Sequence, residues 1–174
     1  MVQSPSFRSV IPAVLLSLSV LSCSTGGPRS SIPPLTFPVT SRTQIIFDEA
    51  AVPDQCRVFS HLLVSIPAAA HEQDIKNRVE QFGMSHGADY ILVGMARESS
   101  DDIGDISFSP YGPQSPYLFK TGWQGWKFGF RDWNSRGPLV DYGYNRLAGD
   151  APAFETEVTA QMVLLSCQLG PDRQ

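Results

Sequence analysis

The sequence predicts an α+β domain: a small mixed or antiparallel sheet with one main helix packed on one face, one disulfide, and an aromatic, β-rich insertion. Three observations predict it. Two segments, Cys56 to Ile66 and Phe154 to Cys167, carry apolar residues at every second position, as half-buried strands do. Between them, Glu72 to His86 sets Ile75, Val79 and Phe82 at intervals of four and three, which makes a helical stripe. From 101 to 150 the aliphatic periodicity gives way to aromatic and turn-forming residues.

Taken in order, Gln44 to Phe47 predicts a short strand, and Asp48 to Gln55, which contains Pro53, a turn. In the first long strand Leu62, Val64 and Ile66 share one face and His61, Leu63 and Ser65 the other, until Pro67 ends it. The helix opens with Glu72 and Asp74 in its first turn, where the dipole favours acids, and Gly87 is placed for a left-handed stop. Gly83 weakens it by up to about 1 kcal/mol relative to Ala, so packing must hold the last turn. Tyr90 to Met95 predicts a largely apolar strand, and the short links of this strand-helix-strand run favour a parallel pair joined by a crossover. In the last strand Phe154, Val158, Ala160, Met162 and Leu164 alternate with Glu155, Glu157, Thr159 and Gln161, predicting one wet face. Val163, Leu165 and Cys167 predict that its end is covered.

The 174 residues are 17 % charged and 42 % hydrophobic, enough for one domain plus a tail and too few for two. With 13 Lys+Arg against 17 Asp+Glu, a net charge of −4 and no basic stripe, nucleic acid is excluded as a partner. The N-terminus points instead to export. The apolar run from Val10 to Leu21, broken only by Pro12, Ser17 and Ser19, is about 12 residues long, whereas a spanning helix needs about 20. Residues 1–22 therefore read as a signal peptide. The run stops at Val20-Leu21-Ser22-Cys23, which resembles a bacterial lipobox and implies that the Cys23 thiol is acylated and becomes the first mature residue. Two acyl chains there would anchor stably where one would not. Cleavage after Ser24, giving a soluble periplasmic protein, is the alternative. Ser rather than Asp after the cysteine resembles the outer-membrane sorting pattern. Residues 23–42, rich in Ser, Pro and Gly, read as a lipidated tether, and residues 43–170 as one globular domain with its insertion at 101–150.

If Cys23 is acylated, Cys56 and Cys167 remain as a pair in an oxidising compartment, against two unpaired buried thiols as the alternative. Cys56 begins the first long strand and Cys167 ends the last, so the two meet if those strands are antiparallel neighbours. The stretch CRVFSHLLVSI, a helix containing Asn77-Arg78, then His86-Gly87-Ala88-Asp89-Tyr90 and a final strand ending in Cys167 resembles small bacterial outer-membrane lipoproteins of the Rcs stress-sensor type and related lipoproteins of unknown function. The resemblance covers under half the chain. It implies a compact α+β domain with a structural disulfide, tethered to the outer membrane and facing the periplasm, with a binding or signalling role.

Ser107 to Arg146 holds eleven of the eighteen aromatic residues and every Trp. Trp126, Phe128 and Phe130 alternate with Lys127, Gly129 and Arg131 and predict a strand with one aromatic face. These rings suit either a satellite core or a contact surface, and the candidate surface is Trp123, Trp126, Trp133, Tyr142 and Tyr144. His61, His71 and His86 share no metal-ligand spacing, and Asp101, Asp102 and Asp105 lack the pattern of a calcium loop. No nucleophile elbow, phosphate loop or dinucleotide fingerprint is present. The expectation is a non-enzymatic envelope lipoprotein without cofactor or metal. Its expected partners are the lipid bilayer through Cys23, an envelope protein and, in the alternative, peptidoglycan or another glycan.

Overall fold

The computed structural model describes residues 37–126, 133, 136–143 and 153–168, all within a compact unit that spans Ser31–Gln174. Its elements are β1 (Gln44–Ile46), β2 (Arg57–Ile66), α1 (Glu72–His86), β3 (Tyr90–Glu98), β4 (Ser107–Gly112), β5 (Tyr117–Leu118), α2 (Phe119–Gly122), β6 (Leu139–Val140) and β7 (Val158–Ser166). Among the described residues the strands form one mixed sheet in the order β1-β3-β7-β2-β4, with β5 paired to β2 and β6 to β3. The chain is α+β, with a single long helix among the described residues.

β2 and β3 both pair antiparallel with β7, so they run parallel to each other as the strand-helix-strand pattern requires. They are not neighbours, because β7 lies between them. The only parallel ladder among the described residues joins β1 to β3, from Gln44 opposite Tyr90 to Ile46 opposite Leu92.

This central place for β7 corrects the wet face expected of it. Every residue of the strand is buried, including Thr159 and Gln161 at 1 % exposure each. A strand flanked on both sides escapes burial only if one sheet face is bare, and neither is. On one face Val158, Ala160, Met162 and Leu164 join Phe59, Leu62, Val64, Ile91, Ile75 and Val79 under α1. On the other, Val163 and Leu165 join Ile46, Val58 and Leu92 beneath Phe119, Tyr117, Trp123 and Trp126.

α1 has the predicted bounds and ends on Gly87 at φ 79°, whose N–H donates to the carbonyls of Gly83 and Met84. Gly83 is also a contact point. A Cβ there would come within 2.7 Å of both Ile91 Cδ1 and Thr43 Cγ2, so the missing side chain lets the helix settle onto β3 and the incoming chain. That incoming chain corrects the end expected for the tether. Phe37 N–H donates to the His86 carbonyl at 3.1 Å, Thr40 N–H to Met84 at 3.1 Å, and the Thr40 and Thr43 hydroxyls both donate to the Ala88 carbonyl. Residues 37–42 are thus folded onto the end of α1. Their Pro, Thr and Ser content suits a tether, but Thr side chains and backbone amides here satisfy the carbonyls at and just past the helix end.

Cys56 immediately precedes β2, Cys167 immediately follows β7, and the two are joined by a disulfide closing 111 residues. In the insertion, β4 pairs with β2 and continues the sheet. Trp126 sits in a turn and not in the strand expected over Trp126, Phe128 and Phe130; Phe128 and Phe130 lie outside the described residues. Residues 1–22, read from the sequence as a signal peptide, and Cys23 and Tyr144 also lie outside them.

Candidate functional site

Tyr117, Phe119, Trp123 and Trp126 of the aromatic insertion lie on the sheet face opposite α1. Phe119 opens the single turn of α2, where its N–H donates to the Cys56 carbonyl at 2.9 Å, so the insertion is stitched to the chain beside the disulfide. Trp123 follows α2, stacks on Phe119 with centroids 5.0 Å apart, and meets Trp126 edge-on at 5.1 Å. Trp126 in turn lies over Gly94 in β3, where a Cβ would stand 2.4 Å from the indole. A glycine inside a strand marks such an approach.

Next to these rings stands His61, on β2 and 3 % exposed. His61 Nε2 and the Tyr117 hydroxyl share a hydrogen bond of 3.0 Å, and the imidazole meets Tyr111 edge-on at 5.5 Å and Trp123 at 6.2 Å. Burial pushes the His61 pKa from 6.5 down to about 4 and that of Tyr111 from 10.0 up to about 12, and raises that of Tyr117. At neutral pH the group is an uncharged imidazole bonded to an uncharged phenol inside an aromatic box. Such a group packs and orients its neighbours, and it carries no charge with which to attract an ion.

Trp133 and Tyr142 are buried, at 6 % and 7 % exposure. The Arg97 guanidinium lies 5.4 Å from the Trp133 ring and donates through Nη1 to the Gly137 carbonyl at 3.0 Å. Arg136 donates to Ser99 Oγ at 2.7 Å and to Asp101 Oδ2 at 2.5 Å, and the guanidinium holds the Asp101 carboxyl below its usual range. Tyr142 packs edge-on against Phe47 at 5.8 Å and Phe154 at 5.3 Å, within the core under α1. The candidate surface is therefore divided. Trp123 and Trp126 are half-buried on the second sheet face, whereas Trp133 and Tyr142 are interior side chains unable to stack on a partner without unpacking the domain.

On the helix side, residues far apart along the chain come together. Phe82 of α1 stacks on Phe108 of β4 with centroids 4.1 Å apart and planes 11° from parallel, and His86 stacks on Phe82 at 4.0 Å. Arg78, Gln81 and Ser85 rim these rings and with them line a groove of about 330 Å³ along the sheet edge. Phe82 and Phe108 are far apart in sequence, and only the β2–β4 ladder brings Phe108, opposite Val64, beneath the helix. No periodicity within either segment encodes that pairing.

Among the described residues no group of three or more His, Cys, Asp or Glu side chains could hold a metal, and no helix is long and apolar enough to cross a membrane. Comparison with protein-family models, curated proteins and solved structures finds no match.

Proposed function

We propose that the chain is a bacterial envelope lipoprotein, anchored to the outer membrane through acylated Cys23, whose α+β domain has a non-enzymatic binding or sensing role in the periplasm. The observation that carries this reading is the Cys56–Cys167 bond. It takes two of the three cysteines, calls for an oxidising compartment, and leaves Cys23 in its lipobox-like setting as the remaining thiol. The preceding apolar run, too short for a spanning helix, supports the same compartment.

Metabolic labelling with a radioactive fatty acid tests the anchor. The wild-type chain takes up label and sediments with membranes, and Cys23→Ala abolishes both. Equal labelling of the two proteins contradicts the reading.

A glycan-binding reading rests on the half-buried pair Trp123 and Trp126. Retention on isolated cell-wall sacculi separates it from a protein-binding role. Retention that falls on Trp126→Ala supports glycan contact, and equal retention of both proteins removes it.

A further inference from the structure

We propose that β4 is the edge through which two copies of the chain join, by antiparallel pairing across a twofold axis at Phe108. β4 stands at the end of the sheet: it pairs with β2 on one side, and among the described residues no strand pairs with the other. Proteins guard such an edge with charged side chains, bulges or prolines. From Ile106 to Gly112 this edge carries no charge, and its guards, Pro110 and the irregular register beside it, stand at one end. Ser107, Phe108 and Ser109 are left open to a further strand.

The symmetry of these residues names the occupant. Ser-Phe-Ser reads the same in both directions, so an antiparallel copy centred on Phe108 sets Phe108 against its own counterpart and each Ser107 against the partner's Ser109. Phe108 lies on the α1 side of the sheet, stacked on Phe82, and Ser107 and Ser109 are exposed on the other. An aromatic pair therefore forms on one face and two hydroxyl pairs on the other, both favourable cross-strand combinations. The strand spacing of about 4.8 Å brings the partner's Phe108 alongside Phe108, into the groove floored by Phe82 and Phe108. At the ends of this ladder Pro110 faces the partner's Ile106. Pro110 has no N–H, and the Ile106 N–H already donates to the Asp105 carboxylate at 2.8 Å, so pairing stops there with no donor stranded. Charge does not oppose the contact. Arg78 is bonded to Asp105 at 3.1 Å, three places before Phe108, so the axis sends the two Arg78 side chains to opposite ends of the ladder. A contact of one patch with itself closes as a dimer and does not propagate into a filament.

The test places Ser107→Cys in one copy of the full-length chain and Ser109→Cys in a second, differently tagged copy. The two are expressed together and separately, oxidised mildly in intact cells and resolved by non-reducing electrophoresis. Directly opposed residues of an antiparallel pair have Cα atoms about 4.5–5.5 Å apart, within disulfide reach. Two copies of Ser107, or two of Ser109, stand diagonally at about 7–8 Å and beyond that reach. The expected result is a reducible dimer that carries both tags when the variants are expressed together and is lost when either is expressed alone. Equal crosslinking of either variant with itself, products larger than a dimer, or no product beyond that of the wild-type chain overturns the proposal. Both serines are exposed and cysteine is close to serine in size, so the variants keep the fold. Each outcome is independent of whether Cys23 is acylated, because the wild-type chain carries the same Cys23.

Discussion

Asp89 Oδ2 accepts the backbone N–H of Cys167 at 2.7 Å, directly beside the disulfide. The same carboxylate accepts from the Gln168 amide at 3.1 Å, and the Asp89 N–H donates to the Leu165 carbonyl at 2.9 Å. The acid at the end of the His86-Gly87-Ala88-Asp89 turn thus fastens the exit of β7 to the entry of β3. Asp89→Ala leaves the Cys167 N–H without its acceptor and is expected to cost about 1–3 kcal/mol. Urea unfolding at neutral pH measures it, and Asp89→Asn is expected to lose less than Asp89→Ala because its amide oxygen still accepts.

The disulfide closes 111 residues, so in the chain-entropy account its removal costs about 4–5 kcal/mol. Cys56→Ser with Cys167→Ser is expected to lower the urea midpoint by a corresponding margin. Reductant should shift the wild-type midpoint to that of the double variant and leave the variant unmoved.

Gly94→Ala places a methyl group where the Trp126 indole lies. Overpacking of this kind costs about 1–3 kcal/mol, and here the yielding partner is a half-buried ring. The expected signature is a red shift of tryptophan emission with lowered stability, both relieved when Trp126→Ala is added. A Gly94→Ala variant as stable as wild type would show that the indole leaves this position freely.

His61 predicts an acid limit. Its imidazole titrates near 6.5 when unfolded and about 4 when folded, so between those values the unfolded chain binds more protons. The stability this site contributes is complete above pH 6.5 and drains away as pH falls toward 4, by about 3 kcal/mol in all. His61→Asn is expected to flatten the dependence of Tm on pH within that window. An unchanged slope would mean that the loss arises elsewhere.

What the sequence made legible is what local physics controls. The bounds of α1 follow from its apolar stripe, its acidic first turn and Gly87, and the Cys56–Cys167 pair follows from strand ends and cysteine count. The dry second face of β7 was not legible, because Thr159 and Gln161 are polar in sequence and buried only through a covering built from residues elsewhere in the chain. The same holds for His61, whose bond to Tyr117 spans 56 residues, and for the Phe82–Phe108 stack. The aromatic excess was visible from composition; which rings it would bury was a matter of tertiary placement. Trp133 and Tyr142 went inside, and Trp123 and Trp126 remained at the boundary.

In the proposed function the three cysteines divide into one lipid anchor, Cys23, and one covalent staple, Cys56–Cys167. Intact-mass and peptide mass spectrometry of the protein purified from membranes tests it in a single experiment. The predicted result is a mature chain beginning at Cys23 and carrying diacylglyceryl mass, with the Cys56 and Cys167 peptides linked until reduced. A chain that begins at Thr25 or retains Met1, or one whose Cys56 and Cys167 react with thiol reagents before reduction, would contradict it.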